Sequence, residues 1–131
     1  MSVSERSGVS PAEAHEQAMA LPVKRVVGRL VEFLGARTVA ALAGVKETRA
    51  VAQWTSGERD PQRPHVLRFA LQLALMISDA AGREMAQAWF HGSNPYLDDA
   101  VPVFLLRHRK LEAIQVPLMA AARSFAARNN A

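Results

Sequence analysis

Residues 64–81, PHVLRFALQLALMISDAA, constrain the fold of this chain more than any other segment. Val66, Leu67, Phe69, Leu71, Leu73, Leu75, Met76 and Ile77 fall on every side of a helix rather than along one stripe. A helix that is apolar nearly all round cannot lie on a surface in water and has to be covered from two sides. The most apolar part, Val66 to Ile77, carries Arg68 and is shorter than the roughly 20 residues that cross a bilayer, so it reads as a buried helix with no membrane role. Its cover is expected from the helices before it and from the C-terminal part or a second subunit.

Composition extends this reading to the whole chain. Half of the 131 residues are hydrophobic but only 6% are aromatic. Alanine and leucine crowd nearly every segment in place of β-branched alternation, which predicts an all-α fold of one compact unit. Cysteine is absent, so disulfides and thiolate metal sites are excluded. The histidines at 15, 65, 91 and 108 lack ligand spacing, and no Gly-rich phosphate loop follows a strand. An enzyme, a metal site and a cofactor are therefore not expected. No basic-then-apolar leader opens the sequence, and a cytoplasmic location is the expectation.

Local signals divide the chain into three parts. Residues 1–22 read as a polar tail and a short helix, opened by the Ser10-Pro11-Ala12-Glu13 capping signature and ended near Pro22. Residues 23–81 hold an amphipathic helix from Val23 stopped at Gly35, a short helix over 37–43 closed by Gly44-Val45, and a third from about Glu47 to Thr55 capped by Gly57. The long helix of 64–81 completes this part. Residues 82–131 begin with a break at Gly82. A helix through REMAQAWF follows, then the turn-rich HGSNPYLDDAVP, a helix from Pro102 to about Arg107, and a last one from Leu111 to Arg128, bent or restarted at Pro117.

Short helix, glycine turn and short helix are the pattern of a helix-turn-helix, whose second member enters the DNA major groove. Val39, Leu42, Val45, Val51 and Trp54 would project to one core, with Trp54 a plug rather than a stacking platform. Arg49 and Gln53, four apart, then share the opposite face, with Ala50 between them. Arginine can grip guanine and glutamine can grip adenine, so this face has the chemistry to read bases. Lys46, Thr48, Arg59 and Arg63 are candidates for phosphate contacts. The plainer alternative is a trihelical core with Arg49 and Gln53 merely solvated.

Charge is uneven: by count, residues 1–23 carry −2, 24–68 carry +5, 69–106 carry −3 and 107–131 carry +4. An anionic partner fits at either basic segment. The stretch AWFHGSNPYLDDAVPVFLL, residues 88–106, has no metal spacing and no nucleophile beside a base. Its large side chains, Trp89, Tyr96, Leu97, Val101, Phe104 and Leu105, serve either the core or a docking surface.

The chain resembles the Xre/MbcA/ParS class of antitoxins, which join an Xre-like helix-turn-helix to a small helical toxin-binding domain. AVAQWTSGERDPQR, residues 50–63, looks like the end of the recognition helix and its cap. Trp89, Asn94, Leu97, Pro102, Leu105 and Leu106 match the family's W-x-x-x-x-N-x-x-L…P-x-x-L-L pattern. The resemblance covers about residues 23–128. It implies an antitoxin of a type II system, a RES-domain toxin that consumes NAD as cognate partner, neutralisation by covering the NAD entrance, homodimerisation and operator binding. Tyr96 joins the matched residues as a toxin contact, and Arg107, His108, Arg109 and Lys110 either line that anionic entrance or are a solvated helix end. A stand-alone dimeric helix-turn-helix regulator is the alternative function.

Overall fold

A computed structural model describes residues 10–129. Among them the fold is all-α: α1 (Pro11–Ala20), α2 (Val23–Leu34), α3 (Ala36–Ala43), α4 (Thr48–Ser56), α5 (Pro64–Ala81), α6 (Arg83–His91), α7 (Pro102–His108) and α8 (Leu111–Asn129). A short 3-10 helix, Pro95–Leu97, interrupts the segment between α6 and α7. None of these helices is long and apolar enough to cross a membrane. The tail read over residues 1–9 lies outside the described residues.

α5 is the axis. Every residue from Phe69 to Ile77 is buried, and α1, α2, α3, α6 and α8 all pack against it. The cover that its sequence demands comes from both ends of the same chain. Gly82, at φ +94, ends α5 and turns directly into α6, a conformation that L side chains rarely adopt.

α1 starts where its sequence signals: the Ser10 hydroxyl accepts from the Glu13 N–H and the Glu13 carboxylate accepts from the Ser10 N–H. Ala14 and Ala18 are fully buried, which lets α1 approach α5 closely. Two polar groups of α5 fasten it. Gln72 donates to the Pro11 carbonyl at 3.3 Å, and Arg68 donates to the carbonyls of Ala18 at 2.8 Å and Leu21 at 2.7 Å. Those last carbonyls have no intrahelical partner, so the guanidinium supplies one. The single cation inside the most apolar stretch is thus a clamp on another helix.

α3 and α4 are each closed by a glycine in the left-handed region, Gly44 at φ +82 and Gly57 at φ +84. In both, the glycine N–H and the one after it return to carbonyls of the last turn, the Schellman arrangement. Val39, Leu42, Val51 and Trp54 are buried, and Val45 is half-buried. At the other end of the chain, α8 runs unbroken through Pro117, where the sequence suggests a bend or restart. Pro117 lies on its exposed side, while Ile114, Leu118, Ala121 and Ala122 are buried in the packing against α5. Tertiary packing holds a helix that local preference would interrupt.

Candidate functional site: two surfaces and the arginines between them

The first surface is the outer side of α4. With Val51 and Trp54 turned into the core, Arg49 is exposed and Gln53 half-buried, with Ala50 half-buried between them. Lys46 and Thr48, just before and at the start of α4, are exposed, as is Arg59 just beyond its end. These five polar groups therefore occupy positions from which a solvent-side partner can be reached.

Arg63 does not join them freely. Its guanidinium donates to the carbonyls of Leu106 at 2.9 Å, Arg107 at 3.1 Å and Leu42 at 3.4 Å. Arg107 is engaged the other way, donating to the carbonyls of Ala41 at 3.0 Å and Val45 at 3.3 Å. The pair ties the end of α7 to the turn between α3 and α4. Both side chains are half-buried, and their sequence-assigned anion contacts compete with bonds that hold the fold. The backbone carbonyls they use belong to helix ends, where acceptors lack partners and cations are favoured.

The second surface lies around the loop from α6 to α7. Asn94 is buried and organises it: its side chain accepts from the Tyr96 N–H at 2.9 Å, and its backbone carbonyl accepts from Leu97 and Asp99. An isolated β-bridge pairs Asn94 with Ala100 and closes the loop. Trp89, Leu97, Pro102 and Leu106 are buried and Leu105 is half-buried, so most of the sequence-matched positions shape the surface from beneath. Trp89 meets Phe90 edge-on at 5.2 Å, and its buried indole N–H has no partner among the described residues.

What this loop and the start of α7 show to solvent is different. Tyr96 is 58% exposed and Phe104 53% exposed. The Tyr96 hydroxyl accepts from Arg128 of α8 at 3.1 Å, and hydrogen bonding with Ser124 together with the Arg128 charge holds its phenol below the usual tyrosine range. Phe104 leans against the His108 ring at 4.4 Å between centroids. Arg128 is an exposed feature that sequence reasoning did not assign, while Phe104, which the sequence leaves open between core and interface anchor, is exposed. Phe104 carried a signal, since in a helix opened by Pro102 it lies off the face of Leu106.

His91 ends α6 and forms a 2.8 Å hydrogen bond with the buried Thr38 of α3. This contact joins an early helix to a late one and gives the imidazole a structural task. No group of three or more metal-ligating side chains occurs among the described residues.

The fold thus defines a class, an all-helical protein wound about one buried helix, carrying two adjacent solvent-facing surfaces. The chain is similar to a protein of Mycobacterium tuberculosis named as the probable mycobacterial cidal antitoxin Rv3188, with 34% identity over 77 residues. The match covers 59% of this chain and 66% of that protein, just under two thirds of its length. No family profile matches the chain, and no solved structure matches it.

Proposed function

We propose that this chain is an antitoxin that binds and neutralises a cognate toxin, and that α3 and α4 form a helix-turn-helix through which it binds operator DNA. The observation that carries the reading is the 34% identity to a protein named as an antitoxin. Support comes from the exposed Tyr96, set on a loop fixed by Asn94 from within, and the exposed Phe104 on the α7 helix that follows it. Aromatic side chains on a rigid support are typical interface anchors. Following the family resemblance, the toxin is a RES-domain protein that consumes NAD, the surface around Tyr96 and Phe104 covers its active-site entrance, and the working unit is a homodimer.

The test is co-expression with the product of the neighbouring gene. The expected result is rescue of growth and co-purification of the two proteins, weakened by Tyr96→Ala combined with Phe104→Ala. An intact, folded chain that neither rescues nor co-purifies overturns the proposal.

A second reading, a stand-alone dimeric transcriptional regulator, is favoured by the net +5 of residues 24–68 and by the exposed Arg49. It shares the operator-binding α4 but predicts no rescue. In both readings Arg49→Ala with Gln53→Ala removes sequence-specific binding in a mobility-shift assay, because each side chain is suited to a particular base edge. Specific binding unchanged by both substitutions removes α4 as the reading helix.

A further inference from the structure

Two hollows adjoin beside α4. The inner one lies between α4 and α7 and is lined by Gln53, Trp54, Arg59, Arg63 and Arg107, with Asp60 among its acidic neighbours. The outer one continues past the end of α7 and is lined by His65, His108, Arg109 and Lys110, with Glu112 at its edge. Arg63 and Arg107 line both hollows, so the two make one continuous cleft.

Counting its lining, the cleft presents five arginine or lysine side chains against two carboxylates. Neither carboxylate is ion-paired with these cations among the described residues, where the ion pair found is Arg29 with Glu32 on α2. Arg59, Arg109 and Lys110 are exposed. Arg63 and Arg107 spend N–H groups on carbonyls, but their positive charge stays on the cleft floor. The cations come from two parts of the chain distant in sequence: the segment after α4, with Arg59 and Arg63, and the end of α7 with its junction to α8, with Arg107, Arg109 and Lys110. A concave run with a net positive lining focuses potential toward an anionic partner that is itself extended.

We propose that this cleft is a phosphate-backbone track for duplex DNA, in which Arg109 and Lys110 extend the contacts of α4 beyond the helix-turn-helix. The inference rests on the DNA-binding half of the proposed function and is independent of the toxin. Its warrant is continuity: the cleft begins at Gln53 on the outer side of α4 and leads away from it along a run in which cations outnumber carboxylates, while the Trp54 ring at its inner end is buried in the core and offers no stacking platform of the kind that single strands use. Phosphate contacts of this type carry no sequence information and set register and affinity.

The experiment measures fluorescence anisotropy of a labelled 30-base-pair duplex, about three helical turns, with the full chain across a salt series. Each lysine or arginine contact to phosphate contributes about 0.9 to the slope of log affinity against log salt. Arg109→Ala with Lys110→Ala is expected to flatten the slope by about 1.8, equally for specific and non-specific duplexes. Arg123→Ala, a cation of α8 outside the cleft, is the control for net charge and is expected to leave the slope unchanged. An unchanged slope in the double variant overturns the track, as does an equal loss in Arg123→Ala. If the double variant keeps full DNA binding but no longer co-purifies with the toxin, the cleft belongs to an acidic protein surface and the track is likewise overturned. Loss of specificity on Arg49→Ala and Gln53→Ala with an intact slope in the double variant leaves the α4 reading standing and removes only this inference.

Discussion

At the residue scale, the arginines decide most. Arg63 reaches three carbonyls from two helix ends, and removing it leaves those acceptors without their charged donor. Arg63→Ala is expected to lower stability by about 2 kcal/mol in urea denaturation, in the range for hydrogen bonds to charged groups at a half-buried position. Arg63→Lys is expected not to restore it, because an ammonium cannot span acceptors that a planar fork reaches together. Tyr96 offers a second measurement. It is the one tyrosine of the chain, so absorbance of the phenolate reports on it alone. Ser124 and Arg128 hold its pKa below the ordinary value of about 10. The sign follows from linkage: the folded state favours the phenolate, so this contribution to stability is fully present above the unfolded midpoint and is lost as pH falls through the folded one. A spectrophotometric titration is expected to give a midpoint below that of the unfolded chain, and Ser124→Ala with Arg128→Ala to return it upward. Coincident midpoints in wild type and variant would contradict the contact.

At the element scale, α8 shows how packing overrides a local rule. Pro117 removes an N–H that would otherwise bond the carbonyl four residues earlier, yet the helix continues because Ile114 and Leu118 are anchored beneath it. Pro117→Ala is expected to raise the urea midpoint, by about 1–3 kcal/mol of stability, since a proline in a helix interior costs about 3 kcal/mol relative to alanine. A drop in the midpoint would show that the proline is needed where it stands. Elements governed by neighbouring residues were legible in the sequence. The capping box of α1, the glycine closures of α3 and α4 and both bounds of α5 lie where local chemistry puts them. Elsewhere the sequence could name a residue type but not its partner. Arg63 and Arg107 read as cations for an anion because their carbonyl acceptors lie 43 or 44 and 62 or 66 residues away along the chain, apart from the nearer Leu42. Asn94 and Pro102 matched a family pattern, and the pattern did not say that they are buried while Tyr96 is exposed.

At the scale of the whole molecule, the division drawn at residue 82 is crossed by packing in several places. α6 packs on α2 and α5, α7 on α3, and α8 on α5. A chain ending at Arg109 is therefore expected to lose cooperative thermal unfolding, because one side of α5 loses its cover; a sharp transition in that truncated chain would show that α8 is dispensable for the fold. The three arginines that fasten this assembly, Arg63, Arg68 and Arg107, all grip backbone carbonyls of the chain itself. Half-buried contacts between a charge and a carbonyl dipole are screened by dissolved ions far less than pairs of exposed charges. Ionic strength is thus a variable that can be turned over a wide range while the architecture stays fixed, and any steep dependence on it belongs to what the molecule binds.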